Sequence, residues 1–274
     1  MNRRRATIVG LLGAMLATAC LDMSAPKGPA SISVLQLPSP SVVVGDVMRD
    51  SNGVPAKFSV IAYDANGNQL SGITPQIIIT DSIRFAHFNA DGILTGDSIG
   101  LVNVLGQIGN LQTPVVPIPV TVAPTSIQAV PPVDSFRIPF STDTTPATTP
   151  VGAVISGADN TFAQKFLVHF ALIYAPATAT GKSPAVFLAN TATGKPFAVD
   201  TTKVNGVASL SLSVIRLFLA DDSLSAGLKT DSAVVEMRAS YKGAPVPGSP
   251  VRVTVPIVVQ PVKATSARAA TDPR

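Results

Sequence analysis

Apolar and polar residues alternate in short runs along most of this chain, which predicts β-strands separated by turns. In the stretch 56–63, the apolar positions Phe58, Val60 and Ala62 share one face. The Asn66-Gly67 pair that follows favours a tight hairpin turn. Seven short strands are predicted between residues 31 and 123, namely 31–37, 41–44, 56–63, 77–79, 93–95, 100–106 and 115–122. Because no helical periodicity interrupts them, this spacing predicts an antiparallel β-sandwich.

The second half of the chain has the same character. Residues 166–174 form its most apolar run, which predicts a central strand. Residues 190–195 lie between two apolar runs and predict a hairpin loop. Residues 220–224 fit either a loop or one helical turn. Alternation is clearest where Ala208, Leu210, Leu212 and Val214 face away from Ser209, Ser211 and Ser213, and where Val235, Met237, Ala239 and Tyr241 face away from Glu236, Arg238 and Ser240.

These patterns predict an all-β chain with two tandem sandwiches. In the intervening stretch, the tract 141–150 is rich in Pro and Thr and lacks apolar periodicity, which is typical of a loop or linker. Residues 135–140 in the same stretch fit an early strand of the second sandwich. The predicted segments are a signal peptide (1–19), a tether (20–30), a first sandwich (31–123), a linker or loop (124–150), a second sandwich (151–262) and a disordered tail (263–274).

The beginning of the chain has the three parts of a secretory signal. Arg3, Arg4 and Arg5 precede an apolar run from residue 6 to residue 19, which ends in small residues before Cys20. At about 1.5 Å per residue this run spans about 21 Å, too short for a stable membrane-spanning helix. The residues around Cys20 resemble the lipobox of bacterial lipoproteins. That resemblance implies cleavage before Cys20, lipid on its thiol and a membrane anchor; secretion with a free thiol is the alternative.

The residue after the cysteine is Leu21 rather than Asp. By resemblance to lipoproteins of diderm bacteria, this favours the outer membrane over retention in the inner membrane. The predicted location is therefore the bacterial cell envelope, with the chain facing the periplasm or the exterior.

Several turn motifs follow one another in a specific order over residues 31–123. They are Val44-Gly45-Asp46, the stretches 64–67, 81–83 and 89–96, and the strand start at 100–104. This order resembles the bacterial immunoglobulin-like (Ig-like) domains repeated in relatives of intimin and invasin. The chain departs from the pattern at 77–79, where three isoleucines stand in place of the Trp of many relatives. Residues 205–210 and 234–241 resemble the same domains more weakly.

Composition limits the possible partners. Charged residues make up 13% of the chain and aromatic residues 5%, with no Trp. Of the 20 basic residues, three lie in the predicted signal, so the remaining 17 face 16 acidic residues and the net charge falls from +4 to +1. No basic cluster typical of nucleic-acid binding remains. The single cysteine leaves no internal disulfide, and no cofactor is predicted.

Two motifs and two histidines suggest chemistry that their surroundings do not favour. Residues 96–100 match G-x-S-x-G around Ser98, but a nucleophile elbow needs a following helix and a downstream His. The downstream His169 is expected in a strand core of the other sandwich. Residues 181–183 resemble the end of a phosphate loop, but Pro176 stands where the first glycine is required. Both His169 and His87 are expected to be strand residues with a satisfied ring nitrogen.

Residues 64–68 have the alternating acidic and amide spacing of a calcium loop, with Asp64, Asn66 and Asn68. Gly67 falls within this run rather than after it, and the only glutamate of the chain, Glu236, is far away. A hairpin turn is the favoured interpretation, and calcium binding stays open.

We therefore expect a non-catalytic, lipid-anchored envelope protein that acts in binding, adhesion or surface assembly, with a protein or glycan partner. One alternative is a polysaccharide-binding accessory module, which predicts a platform of exposed aromatic side chains. A serine hydrolase using Ser98 is the less favoured alternative.

Overall fold

The computed structural model describes residues 28–81, 83–130, 135–138, 144–220 and 230–259 of the 274-residue chain. These residues form 21 β-strands and two 3-10 helices, Ala158–Asn160 and Arg216–Phe218. The first strands are β1 (Ser31–Ile32), β2 (Val42–Val43), β3 (Ala62–Tyr63), β4 (Gln69–Leu70), β5 (Gln76–Ile79), β6 (Ala86–Phe88), β7 (Leu94–Gly96), β8 (Gly100–Ile108), β9 (Leu111–Gln112) and β10 (Val116–Thr121). The others are β11 (Ser126–Ala129), β12 (Phe136–Ile138), β13 (Ala147–Ser156), β14 (Leu167–Tyr174), β15 (Val186–Ala189), β16 (Val199–Thr201), β17 (Val207–Val214), β18 (Thr230–Arg238), β19 (Ser240–Tyr241), β20 (Ala244–Pro245) and β21 (Val251–Val259).

The chain divides into two compact units, each built from several segments. The first unit comprises the described residues of Met1–Leu37, Phe58–Thr80 and Asn103–Val116. The second comprises those of Pro38–Lys57, Asp81–Val102 and Pro117–Arg274. The predicted all-β class is confirmed: strands dominate both units, and most strand pairs are antiparallel.

In the first unit, β3 pairs with both β1 and β4, and β8 pairs with both β5 and β9. Phe58, Val60 and Ala62 are all buried, as their alternation predicts. Gly106 allows close packing here, because a Cβ at this position would lie 2.6 Å from Cγ2 of Val60. The isoleucines of β5 are only half-buried, and β5 is an edge strand that pairs with β8.

In the second unit, an Ig-like β-sandwich is formed by two sheets. One sheet has the order β11-β13-β17-β15, and the other has the order β12-β21-β18-β14-β16. In chain order, β11, β13, β14, β15, β17, β18 and β21 occupy the places of strands A to G in a constant-type immunoglobulin domain, whose sheets are ABED and GFC. Two strands are additions: β12 pairs in parallel with β21, and β16 pairs with β14.

The core of this sandwich lies between the inward faces of the two sheets. On β17, Ala208, Leu210, Leu212 and Val214 are fully buried, which confirms the alternation in the sequence. The opposite sheet contributes inward side chains from β14, β18 and β21, namely Val168, Phe170, Ala233, Val235, Met237, Val253, Val255 and Ile257. Burial of these apolar groups supplies the main stabilisation of a two-layer fold.

One local expectation is confirmed, and another differs from the structure. Residues 190–195 form the predicted hairpin loop, since the Asn190 N–H donates to the Lys195 carbonyl and the flanking residues Ala189 and Pro196 form an antiparallel bridge. Beyond this turn the strands separate, and β15 joins one sheet while β16 joins the other, because the connection crosses between the layers. The outward face of β14 is exposed, so His169 is not a core residue.

Strands also occur within the stretch 124–150 that the sequence predicts as a linker. Here β11 pairs with β13, and β12 pairs with β21. Both β11 and β12 are edge strands with one neighbour each, which explains their weak apolar pattern. The domain boundaries as a whole stay a prediction, and the signal peptide, most of the tether, residues 221–224 and the tail lie outside the described residues.

Candidate binding site

The predicted lipidation site, Cys20, lies outside the described residues, so its role stays a prediction. Among the described residues, no helix is long and apolar enough to span a membrane.

Ser98 has a structural partner in the turn that precedes β8. Its hydroxyl donates to the backbone carbonyl of Arg84 at 2.9 Å. A strand rather than a helix begins at Gly100, so the residues around Ser98 do not form a nucleophile elbow. His87 is a residue of strand β6 with a satisfied ring nitrogen, as predicted, because its Nδ1 lies 2.7 Å from Oδ2 of Asp97. The identity of this partner was not predicted from the sequence.

Asp64 uses its carboxylate to close the predicted hairpin turn. Its Oδ1 accepts from the backbone N–H groups of Asn66 and Asn68 at 2.8 Å, and its Oδ2 accepts from the Asn68 amide at 3.0 Å. These hydrogen bonds lower the pKa of Asp64. Across the part of the chain that the structure describes, no group of three or more His, Cys, Asp or Glu could hold a metal ion.

The second unit contains a cluster of charges around Asp46, which we call the Asp46 cluster (Asp46, Arg49, Tyr241 and Lys242). Arg49 makes a bidentate contact, with Nε and Nη2 each 2.9 Å from one carboxylate oxygen of Asp46. The Tyr241 hydroxyl donates to Oδ2 at 2.9 Å, and Nζ of Lys242 lies 3.7 Å from the same oxygen. The Asp46 side chain is only 7% exposed.

Local geometry brings these groups together. Asp46 follows the Gly45 turn after β2, and Tyr241 lies in the β19–β20 hairpin, 195 residues away. The Tyr241 ring is also in edge-to-face contact with Phe166, at 6.5 Å between ring centroids. Gly53 packs against the hairpin turn so closely that a Cβ there would collide with the backbone of Gly243.

Burial and hydrogen bonding act in opposite directions on Asp46. Burial alone would raise its pKa, but the hydrogen bonds from Arg49 and Tyr241 outweigh burial and leave the pKa of Asp46 below its usual value. Burial and the neighbouring Asp46 carboxylate both raise the pKa of Tyr241. Asp46 is therefore ionised and Tyr241 protonated near neutral pH.

A second cluster lies on the outward face of the larger sheet, and we call it the Glu236 cluster (Glu236, Arg238 and Arg252). Nε and Nη2 of Arg238 lie 2.6 and 2.5 Å from Oε1 of Glu236, and Nε of Arg252 donates to Oε2 at 2.8 Å. The Glu236 side chain is 1% exposed, whereas the two arginines are 67% and 64% exposed. The hydrogen bonds from Arg252 and Arg238 lower the pKa of Glu236.

A groove beside these clusters is large enough for a ligand. It has a volume of about 670 Å³ and is lined by His169, Arg238, Ser240, Gly243, Pro245 and Pro250, among others; we call it the His169 groove. A smaller cavity of about 60 Å³ shares His169 and Ser240 with it and reaches Asp46, Arg49 and Lys242. Volumes of about 300–1,000 Å³ are typical of ligand pockets.

The groove was not predicted from the sequence. One signal was available, because Glu236 is the only glutamate in the chain and Arg238 lies two residues away on the same strand face. Aromatic side chains do not line the groove. Three of them, Phe162, Tyr174 and Phe197, are about half exposed elsewhere in the second unit.

No protein-family model matches this chain, and no curated protein matches it. The chain is similar to several solved structures. Domains 4 and 5 of the S-layer protein SbsC share 13% identity with it over 84% of this chain and 99% of that chain, at a TM-score of 0.31. The Yersinia pseudotuberculosis adhesin InvE shares 14% identity over 86% of this chain and 61% of that chain, at a TM-score of 0.30.

A structure of domains 4 to 9 of SbsC shares 14% identity over 85% of this chain and 31% of that chain, at a TM-score of 0.31. This chain therefore spans less than two thirds of the InvE chain and of this longer SbsC structure. Likeness at these TM-scores carries no argument about function, and the Ig-like assignment rests on the strand order of the second unit.

Proposed function

We propose that this protein is a non-catalytic, lipid-anchored component of the bacterial cell envelope that holds a partner through its Ig-like sandwich. The observation that carries the binding role is the His169 groove, an open site that the exposed Arg238 borders on the outward face of the larger sheet. A binding site on a rigid scaffold suits recognition, because its side chains and backbone lose little conformational entropy when a partner binds.

The proposed anchor is supported by the residues around Cys20. A single acyl chain gives only weak membrane binding, whereas two or more chains hold a protein firmly. Because Cys20 is the only cysteine, metabolic labelling with palmitate has one possible thiol target. We expect label on the wild-type protein and none on Cys20→Ala.

Cell fractionation gives a second measure of the anchor. The wild-type protein is expected in the outer-membrane fraction, and Cys20→Ala is expected in the periplasm or the medium. Retention of palmitate on Cys20→Ala, or identical fractionation of both proteins, would disprove the lipid anchor without affecting the binding role.

The non-catalytic part of the proposal is tested at Ser98, the residue of the hydrolase alternative. We expect no esterase activity from the wild-type protein. An activity that is present in the wild type and lost in Ser98→Ala would overturn this part of the proposal. Thr125→Ala is a suitable control, because Thr125 also donates its hydroxyl to a backbone carbonyl in an exposed position.

A further inference from the structure

The chain contains three Asn-Gly pairs, at 52–53, 66–67 and 205–206. Because glycine has no Cβ, its backbone nitrogen can approach the side-chain amide of the preceding asparagine with little steric hindrance. All three pairs form the same kind of turn. Each glycine has a positive φ of 72° or 81°, and its N–H donates to the carbonyl three residues earlier at 2.9–3.1 Å. The turn geometry therefore does not distinguish the three pairs.

Packing around the glycine does distinguish them. Gly206 is buried, and a Cβ at this position would lie 2.8 Å from Cδ1 of Phe162. Gly53 is half-buried against the backbone of Gly243, and its carbonyl accepts a hydrogen bond from Nη1 of Arg49 at 2.8 Å. At both positions the surrounding structure fixes the peptide bond that joins the asparagine to the glycine.

Gly67 lies in open surroundings at the tip of the β3–β4 hairpin. It is exposed, and within the described structure no atom outside its two chain neighbours lies within 4 Å of the place where a Cβ would be. The Asp64 carboxylate holds the turn through the backbone N–H groups of Asn66 and Asn68, so these hydrogen bonds do not restrain the Asn66 side-chain amide. Rotation of the peptide between Asn66 and Gly67 meets only solvent, whereas the same rotation at Gly53 or Gly206 requires local opening of the fold.

We propose that Asn66 is a site of spontaneous deamidation and that packing protects Asn52 and Asn205 from the same reaction. The backbone nitrogen of Gly67 attacks Cγ of Asn66 and forms the N–Cγ bond of a succinimide ring. The Nδ2 group of Asn66 leaves with the proton of the Gly67 nitrogen as ammonia. Water then adds to either carbonyl carbon of the ring, one C–N bond breaks, and the product is aspartate or isoaspartate. This reaction is independent of the proposed function.

Either product changes the tip of the β3–β4 hairpin. A new carboxylate appears two residues from Asp64, which already carries a negative charge. Isoaspartate also inserts its β-carbon into the main chain, inside the turn that is closed by a hydrogen bond from the Asp64 N–H to the Asn68 carbonyl at 2.9 Å. The modification therefore alters both the charge and the backbone geometry of this hairpin.

The test follows the purified full chain over time in mildly alkaline buffer, because the glycine nitrogen must lose its proton to react. Tryptic fragments 50–57, 58–84 and 204–216 each contain one pair, and tandem mass spectrometry identifies the asparagine whose amide has become a carboxyl group. We expect Asn66 to react at least about tenfold faster than Asn52 and Asn205, the ratio that corresponds to about 1.4 kcal/mol in the barrier. Equal rates at the three positions, or a faster reaction at Asn52 or Asn205, would overturn the proposal.

The same chain unfolded in guanidinium chloride is the matched control. Packing is absent there, so the three rates should converge. A ratio that persists in the unfolded chain would show that local sequence rather than packing sets the rates. An Asn66 that reacts in the unfolded chain but not in the folded protein would show that its turn is protective. Either result would overturn the proposal.

Two variants at the same position locate the charge change. Asn66→Asp provides the authentic aspartate product as a reference in ion-exchange chromatography, and enzymatic methylation of isoaspartate detects the other product. Asn66→Ser removes the reacting amide at an exposed position, so the acidic species that accumulates in the wild type should not form. Accumulation of the same acidic species in Asn66→Ser would place the reaction at another residue and overturn the assignment.

Discussion

The Asp46 and Glu236 clusters combine the same chemistry in different surroundings. In each, one buried carboxylate is shared by two basic side chains. The partners of Glu236 lie on the same strand or the adjacent one, and both are about two-thirds exposed. Asp46 has in addition the hydroxyl of the half-buried Tyr241, which comes from a distant part of the chain.

Because of this difference, the two clusters contribute differently to the stability of the fold. Solvent surrounds the arginines of the Glu236 cluster, so their attraction to the carboxylate is weakened and contributes little to stability. The Asp46 cluster connects the turn after β2 to the β19–β20 hairpin, and removing one member would leave poorly solvated charges behind. We infer that the Asp46 cluster stabilises the second unit, while the Glu236 cluster mainly orients arginines on the sheet surface.

The largest expected effect is that of Asp46→Asn. This change leaves Arg49 without its carboxylate and places amide donors against other donors. We expect the free energy of unfolding to fall by about 2–3 kcal/mol, below the range for fully buried pairs because Arg49 and Lys242 are partly exposed. Chemical denaturation followed by circular dichroism measures this loss.

Asp91→Asn is the control for that experiment, because Asp91 is an exposed turn residue. Its free energy of unfolding should match that of the wild type within about 0.5 kcal/mol. Equal stability of Asp46→Asn and Asp91→Asn would contradict a stabilising role for the Asp46 cluster.

Acid should remove part of the same stabilisation. Because the pKa of Asp46 is lower in the folded protein than its unfolded value of about 3.9, the unfolded chain binds more protons in this range. The contribution of Asp46 is therefore complete above that value and is lost as the pH falls through the folded-state pKa. Melting temperatures between pH 7 and pH 2 should decrease less steeply in Asp46→Asn than in the wild type, and parallel curves would contradict this assignment.

Tyr241→Phe removes one hydrogen bond to Asp46 and keeps the ring that contacts Phe166. We expect a loss of about 1.5 kcal/mol, the lower end for a hydrogen bond to a charged group. In the Asp46→Asn background the loss should be smaller, because the charged acceptor is already absent. A double-mutant cycle measures this coupling, and strictly additive losses would show that the two residues act independently.

The smallest expected effect is that of Glu236→Gln. Arg238 and Arg252 are largely exposed, so water can hydrate them when the carboxylate is lost. The melting temperature should therefore fall less than in Asp46→Asn. A larger fall in Glu236→Gln than in Asp46→Asn would reverse the comparison between the two clusters.

Much of the fold could be predicted from local sequence. The alternation of Ala208, Leu210, Leu212 and Val214 identified a strand and its buried face, because the side-chain period of a strand is two. Weak edge strands were harder to predict. The strand β11 has one neighbour and a short apolar pattern, so its segment resembled a linker, whereas residues 135–140 did indicate the strand that forms at β12.

The contacts of the candidate site were harder to predict from local sequence. Outward positions of Glu236 and Arg238 follow from the alternation of β18, but the register that sets Arg252 opposite Glu236 depends on strand pairing. His169 lay in the most apolar run and was expected in the core. Its neighbours in the sheet show that this strand is buried on one face only.

By itself, the sequence determined the all-β class, the buried faces of the long strands and the turn chemistry of Asp64, because these depend on neighbours within a few residues. The single Cys20 and the apolar run before it likewise defined the expectation of a lipid anchor. Only the tertiary structure decided that Asp46 meets Tyr241 and that Arg238 and His169 border one groove. Such contacts join segments far apart in the chain, and their formation depends on sheet register and on how the sandwich closes.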